Sequence, residues 1–229
     1  HTTTNALRDV SRGVASNQGR AEKLTNAWAF GGKAKMAPDS FYQELGPILE
    51  GGGDLSEAAM REAVVFRKIE AAKAAGRLRE SMSHDDIHRV LGAIRESVTP
   101  DDLAKMRKRW EPHEQIITGA KEHTEWMRGS GQEMGLFMGE DNYATHILRP
   151  PKKIGEKQGG FFTQTGVINE IGSAKMRDPL SKHNVVREGP PTLNEALAYG
   201  FRPVMDSRVS MLSRTRAFLD DASQAEALG

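Results

Sequence analysis

The sequence predicts a mainly α fold, an irregular multi-helix assembly in which a long, poorly regular insert at about residues 137–191 precedes the last two helices. Three observations lead to this prediction. Apolar residues recur at intervals of three and four between residues 41 and 128. Residues that typically begin and end helices bracket these periodic blocks. Only 38% of the residues are hydrophobic and 6% aromatic, which favours thin helical layers over one thick core.

The N-terminal residues 1–53 are expected to form short helices and a glycine-rich linker. Residues 5–30 predict two short amphipathic helices that meet near Gly19. The sequence PDS at residues 38–40 begins a further short helix, and the three glycines at residues 51–53 end it. These glycines mark the boundary with the next segment.

Residues 54–136 carry the strongest helical periodicity and are expected to form a body of long amphipathic helices. Gly76 is a candidate C-cap of the first helix, and Ser83 is a typical N-cap of the second. Thr99, followed by Pro100 at the first helical position, begins the third helix.

This third helix is predicted to run without a break to about Arg128, where the sequence RGSGQ ends it. Trp110 and Trp126 lie on it and are expected to anchor the core or an interface. The helix also carries acidic and histidine side chains that we interpret as its solvated face, namely Glu111, His113, Glu114, Glu122 and His123.

From residue 137 to residue 229 we expect a clasp, a basic extended insert and the C-terminal helices. Helical signals return at Thr192, which is expected to form a capping box with Glu195. A last helix is predicted from about Asp206 to Ala222.

Charge and composition exclude several classes of function. Lys and Arg number 32 against 31 Asp and Glu, and the net charge of +1 argues against a dedicated nucleic-acid binder. The absence of cysteine excludes disulfides, thiol catalysis and cysteine-ligated metals. No apolar run reaches the roughly 18–20 residues of a transmembrane helix. The start at His1, without a hydrophobic leader, favours an excerpt of a longer polypeptide.

The sequence HDDIH places His84 and His88 four residues apart, the spacing at which two imidazoles on one helix face hold zinc. The metalloprotease pattern needs Glu directly after the first His, but Asp85 occupies that position. No third ligand follows in a recognisable pattern. We therefore interpret this stretch as an ordinary helix start and expect no metal, no cofactor and no catalytic residue set.

The sequence RPPKKIGEK is basic and stiffened by proline, and extended basic segments of this kind contact phosphates. The last helix is also rich in arginine. A solvated loop whose lysines maintain solubility is the competing interpretation. The candidate contacts to nucleic acid are Arg149, Lys152, Lys153, Lys157, Arg208 and Arg216.

The region from Gly139 to about Asp221 begins with GEDNYATHIL, continues through an irregular basic insert, and ends with a Glu-Ala helix–turn and an Asp-started helix. In this order of motifs it resembles large polyvalent proteins and phage virion-internal ejection proteins. The usual Lys-x-Arg motif is loosened, because four residues, His183 to Val186, separate Lys182 from Arg187. The matching residues are Asn142, Tyr143, His146, Ile147, Lys182, Arg187, Leu193, Glu195, Ala196, Gly200, Pro203, Asp206 and Arg214.

The stretch DNYATHILRPP looks catalytic, but it can be explained as a structural clasp. Tyrosine and histidine side chains combine an apolar ring with a polar group that ties a loop to a packed body. Arginine–aspartate pairs would hold the insert to the final helix. We predict a clasp formed by Asn142, Tyr143, His146, Arg187, Asp206 and Arg214.

The resemblance implies a structural segment of a large virion-associated protein that belongs to an internal core or to the genome-ejection machinery. Such a protein is stored in the capsid interior and delivered to the host cell envelope or cytoplasm on infection. It would act by assembly with other virion or ejection proteins and by self-association.

Two alternatives belong to other classes. One is a nucleic-acid-binding helical accessory module of a polyvalent phage enzyme, such as a virion RNA polymerase or helicase. Its binding would weaken steeply with salt. The other is a hydrolase that uses Glu or His side chains, for which His84 and Glu122 are the residues to substitute.

Overall fold

Several described helices begin at residues that typically cap a helix N-terminus. In the computed structural model, Ser56, Ser83 and Thr99 each accept a hydrogen bond from a backbone N–H three residues later. Thr99 and Asp102 form a full capping box, with Pro100 inside the first turn. The N-caps predicted at Ser83 and Thr99 are thereby confirmed.

The structure describes residues 16–17, 19–27, 38–79, 81–135, 148–149, 192–203 and 206–228. Residues 16–17 and 19–27 are helical. Seven further helices follow, and a 3-10 turn at Glu111–His113 separates the fourth from the fifth. They are α1 (Asp39–Glu50), α2 (Glu57–Ala74), α3 (His84–Glu96), α4 (Pro100–Trp110), α5 (Glu114–Glu133), α6 (Leu193–Ala198) and α7 (Ser207–Leu228).

The predicted mainly α fold is confirmed. Among the described residues, β structure consists of two short strands, β1 (Leu148–Arg149) and β2 (Arg202–Pro203), which pair antiparallel. Gly76 has a φ of 68° and ends α2 as predicted. Helix α7 is longer than expected, because it continues to Leu228.

The prediction of one unbroken helix from Pro100 to Arg128 is wrong in two respects. The chain leaves α-helical geometry at Glu111–His113, where Pro112 lacks an N–H and crowds the preceding turn. Helix α5 then continues through the sequence RGSGQ to Glu133. Gly131 is buried, so packing keeps the chain helical where local propensity would end it.

Besides a small cluster of Leu193, Ala196 and Phe201, two apolar clusters organise the helices. The larger one joins α1, α2, α4, α5 and α7 around Trp110, which is fully buried and meets Phe41 edge-on at 4.9 Å. The smaller one joins α2, α3 and α6 through Phe66, Leu91 and Leu197. The larger cluster takes residues from all three predicted segments, and the boundaries of those segments stay a prediction.

The turn between α1 and α2 requires a glycine at residue 51. A Cβ on Gly51 would lie 2.5 Å from the Cα of Ala59, a distance at which backbone atoms must move. This close approach sets α1 against the first turn of α2. Those two helices provide most of the surface on which the C-terminal part of the chain rests.

Candidate functional site: a docking groove for residues 192–201

Helices α1, α2 and α3 form a groove that holds residues 192–201. We define the docking groove by Gly46, Glu50, Glu62, Lys73 and Arg95. Each of these residues contacts the segment directly, and the contacts come from three helices that are separate in sequence. The site is therefore a surface on which a distant stretch of the same chain packs.

Leu193 enters the groove where α1 lacks a side chain. An added Cβ on Gly46 would lie 2.9 Å from Cδ2 of Leu193, so the glycine makes room for the leucine. Leu193 is buried, as are Ala196 and Phe201 beside it. The apolar contact in the groove thus pairs a small residue, Gly46, with a large one, Leu193.

Side chains of the body satisfy both ends of α6. The Glu50 carboxylate accepts the backbone N–H of Leu193 at 2.9 and 3.1 Å. The Lys73 ammonium donates to the carbonyl oxygen of Leu197 at 3.0 Å. Charges of these signs stabilise the positive and negative ends of a helix. A helix of six residues gains from this support, because it is too short to form alone in water.

Two polar pairs fix the register of the segment. The Asn194 amide donates to the carbonyl oxygen of Glu62 at 3.0 Å and to its carboxylate at 2.7 Å. Arg95 of α3 donates to the Glu195 carboxylate at 3.3 Å. Thr192 caps α6 as predicted, because its side chain accepts the backbone N–H of Glu195. The Glu195 carboxylate, the other half of the predicted capping box, pairs with Arg95. Oδ1 of Asn194 and Oε2 of Glu195 are buried without a hydrogen-bond partner.

The segment ends in an aromatic contact with α3. Tyr199 stacks on His84 with ring centroids 4.6 Å apart. Burial raises the pKa of the Tyr199 hydroxyl, and the nearby Glu195 raises it further. The hydroxyl therefore stays protonated at neutral pH, which is unfavourable for a nucleophile or base. The first histidine of HDDIH is thus part of the docking contact.

Arg208 attaches the start of α7 to α1. Its guanidinium donates to Asp39 at 2.9 Å, pairs with Asp206, and lies 4.1 Å from the ring centroid of the buried Tyr42. Hydrogen bonding to Asp206 and Asp39 raises the pKa of Arg208. Burial opposes ionisation of Asp206, but the hydrogen bonds from Arg208 hold its pKa below the ordinary value.

Further along α7, a buried histidine links it to α5. The Thr215 hydroxyl donates to the Met211 carbonyl oxygen at 2.8 Å, so its oxygen accepts from Nε2 of His123 at 2.7 Å. Burial lowers the pKa of His123 to about 4. The interpretation of this histidine as part of a solvated face is wrong, because α7 covers it.

Glu44 on α1 is the charged group at the centre of the body. Its carboxylate is fully buried and accepts from the Trp110 indole at 2.8 Å, from Arg67 at 2.6 Å and from Arg109 at 3.2 Å. Arg109 also lies 4.0 Å from the ring centroid of Phe41. Trp110 is a core anchor as predicted, whereas Trp126 is 41% exposed.

The residues predicted for the clasp are only partly described. Asp206 pairs with Arg208, which is itself one of the candidate nucleic-acid contacts. Arg214 is half-buried on α7. The other predicted clasp residues, Asn142, Tyr143, His146 and Arg187, lie outside the described residues.

Among the predicted nucleic-acid contacts, the structure describes the side chains of Arg208 and Arg216 alone. Arg208 is engaged by two carboxylates, and Arg216 is exposed and lies 4.0 Å from Asp220. Arg149 is described only by the backbone of β1. Lys152, Lys153 and Lys157 lie outside the described residues.

Sequence reasoning missed the docking groove. Glu50, Glu62, Lys73 and Arg95 occur at positions where charged residues usually form the solvated face of an amphipathic helix. Gly46 lies inside α1 with no turn beside it. A glycine in a helix interior costs stability, and this was the one signal that pointed to a close packing partner.

The described residues contain neither a candidate metal site nor a candidate membrane-spanning helix. No group of three or more His, Asp or Glu side chains there has an arrangement that could hold a metal ion. Of the described helices, none combines the length and apolarity needed to cross a membrane.

Comparison with known proteins gives no match to this chain. No family model matches it, and neither does any curated protein or solved structure. The resemblance of residues 139–221 to phage virion-internal proteins consequently stays a prediction.

Replacing Leu193 with alanine is expected to loosen residues 193–201 and leave the body folded. The change removes a buried side chain and leaves a cavity over Gly46, at a cost of about 2–3 kcal/mol. Hydrogen exchange would show faster exchange of the amides of residues 193–201. Val209→Ala is the matched control, because Val209 is 47% exposed on α7. Equal protection of the segment in both variants would contradict the role of Leu193.

Proposed function

We propose that this chain is a structural segment of a large virion-associated protein of a tailed phage. In this proposal it belongs to an internal core or to the genome-ejection machinery and acts by protein–protein assembly. The docking groove is the observation that supports an assembly function. It places side chains of three helices around a segment that lies far along the chain.

The distribution of charge supports a structural function in preference to catalysis. Glu44 and Arg208 each hold two or more helices together, and His123 connects α5 to α7. Polar side chains paired in this way favour one arrangement of the helices over others. Charged and polar side chains that pair with each other fix the position of one polypeptide segment against another. Side chains at subunit interfaces do the same.

The phage context of the proposal comes from the resemblance of residues 139–221. The motif GEDNYATHIL and the Asp-started last helix are the parts of the sequence that carry it. Proteins of that kind are expelled from the capsid with or before the genome. A module that docks one segment of polypeptide onto another suits such a protein, which assembles with its neighbours in the capsid.

Mass spectrometry of purified virions beside infected-cell lysate tests the proposal. We expect virion peptides from this chain, together with peptides that extend upstream of His1. Peptides found only in the lysate would overturn the virion assignment. The nucleic-acid alternative would then be tested by the salt dependence of binding, with Lys152→Ala and Lys153→Ala expected to reduce its slope.

A further inference from the structure

We infer that the contact between His123 of α5 and Thr215 of α7 is an acid-sensitive latch, which opens when the imidazole takes up a proton. Opening loosens the middle of α7 against α5 and leaves the other helices packed. The inference adds a response to pH and does not depend on the proposed phage context.

The hydrogen bonds at the latch suit a neutral histidine. The proton of the Thr215 hydroxyl goes to the carbonyl oxygen of Met211 at 2.8 Å. The Thr215 oxygen therefore accepts the N–H on Nε2 of His123, which lies 2.7 Å away. A neutral imidazole with its proton on Nε2 makes this bond. A second proton, on Nδ1, adds a full positive charge without adding a bond to Thr215.

The surfaces around the latch are apolar on both helices. Residues three and four positions away share a helix face with the central residue. On α5 these neighbours of His123 are Gly119, Ala120, Trp126 and Met127, and on α7 those of Thr215 are Met211, Leu212, Phe218 and Leu219. The ring of Trp126 stacks on His123 with centroids 5.6 Å apart and meets Phe218 edge-on at 5.5 Å. His123 is only 8% exposed, so a charge on it is largely removed from water.

The charged side chains of α5 and α7 nearest to the latch lie on other helix faces. Successive residues of a helix are turned by about 100°, so a charged residue within six positions of His123 or Thr215 lies roughly 100° or more around the helix. On α5 these residues are Lys121, Glu122, Glu125 and Arg128, and on α7 they are Arg214, Arg216, Asp220 and Asp221. Lys121 donates to the carbonyl oxygen of Gly52.

The charged groups of the elements that pack on α5 and α7 form contacts elsewhere or face water. On α1, Asp39 accepts from Arg208, Glu44 from Arg67 and Arg109, and Glu50 from the N–H of Leu193. In the helix at residues 19–27, the side chains of Arg20, Glu22 and Lys23 are exposed. An indole attracts a cation, but burial has the larger effect at His123 and lowers its pKa to about 4.

The two ends of α7 stay attached when the latch opens. At the start, Arg208 pairs with Asp206. Burial opposes ionisation of Asp206, but hydrogen bonds from Arg208 hold its pKa below the ordinary value, so this pair persists at pH 4.5. Near the other end, the Asn17 amide donates to Asp220 at 3.0 Å. Opening is therefore a local loosening around Thr215.

Opening enlarges an apolar surface that is already partly exposed. Trp126 is 41% exposed while the latch is closed. Beside it, Met127, Met211 and Phe218 are each 2% exposed, and they lie on the faces that α5 and α7 bury against each other. Loosening of α7 admits water to these side chains, so acid converts a small exposed apolar patch into a larger one.

Hydrogen exchange of the whole chain at pH 7 and pH 4.5 tests the latch. Rates are expressed as protection factors, which correct for the effect of pH on exchange itself. A pKa of about 4 in the closed form and near 6.5 in the open form favours opening about 50-fold at pH 4.5. We expect protection of residues 209–222 to fall by this factor, and to be lower at pH 4.5 than that of residues 60–72 in α2. Equal protection of the two helices in acid would mean that only the whole protein opens, and would overturn the latch.

Two variants show whether His123 is the group that responds. In His123→Gln we expect most of the fall in protection to disappear, because glutamine donates to Thr215 and takes up no proton. Thr215→Ser keeps the hydroxyl and is expected to retain the full fall, which makes it the matched control in the same contact. A fall of about 50-fold in His123→Gln would overturn the proposal.

An NMR titration of the unsubstituted protein tests the latch without any substitution, while circular dichroism at pH 7 checks that both variants are helical. We expect the ring signals of His123 to shift over the same pH range in which residues 209–222 lose protection. An imidazole that stays neutral while this protection is lost would also overturn the latch.

Discussion

Replacing Glu44 with alanine is expected to lower the free energy of unfolding by about 3 kcal/mol. The carboxylate is fully buried, and its removal leaves the buried Trp110 indole N–H without an acceptor. An unpaired buried donor carries its full desolvation cost. The side chains of Arg67 and Arg109 are each 37% exposed and can turn to water. The expected loss is therefore at the lower end of the range for breaking a buried ion pair.

Urea denaturation of Glu44→Ala measures this loss. The matched control is Glu70→Ala, since Glu70 also pairs with Arg67 but its side chain is 39% exposed. We expect the control to lose less than about 1 kcal/mol, as exposed ion pairs do. Similar losses in both variants would show that the burial of Glu44 contributes nothing beyond an ordinary surface pair.

The stability of the protein is expected to fall as the pH drops from about 6.5 to 4, because His123 is buried in its neutral form. Burial lowers the pKa of His123 to about 4, whereas an unfolded histidine has a pKa near 6.5. As the pH falls, the unfolded state therefore binds a proton before the folded state does. The free energy of unfolding that is present above pH 6.5 is lost as the pH falls through 4. The full shift in the pKa of His123 corresponds to a loss of about 3 kcal/mol in the free energy of unfolding.

His123→Gln is expected to remove this pH dependence, because glutamine donates to Thr215 without gaining a charge. Denaturation of both proteins at pH 7 and pH 4.5 gives the comparison, and His88→Gln replaces an exposed histidine as the control. Hydrogen bonds from Lys68 and Thr99 lower the pKa of Asp102 to about 2, so its contribution is lost at lower pH than that of His123. If the free energy of unfolding of His123→Gln depends on pH as that of the unsubstituted protein does, protonation of His123 is not the cause.

The local features of the helices were predictable from the sequence. A serine or threonine caps the backbone N–H three residues away, as at Ser83 and Thr99, and a glycine such as Gly76 adopts a positive φ. These interactions form within one turn of helix, so a short stretch of sequence contains both partners. The break at Pro112 also depends on local sequence. It is hard to predict because the apolar periodicity of a helix continues on either side of it.

The choice of distant partners was decided only by the tertiary structure. Glu44, Glu50 and His123 look like the solvated residues of amphipathic helices, but each is covered by, or bonded to, an element far along the chain. A period of 3.6 residues shows which face of a helix is apolar and carries no information on which charged residues another helix will cover.

The sequence by itself thus determined the class of fold, the helix starts and the absence of cysteine chemistry. The tertiary structure determined that residues 192–201 lie in a groove of three helices and that Gly46 makes room for Leu193. The physical reason is the range of the interactions. Caps and turns act between neighbours in sequence, whereas the burial of a carboxylate or an imidazole depends on packing between segments that fold together from distant parts of the chain.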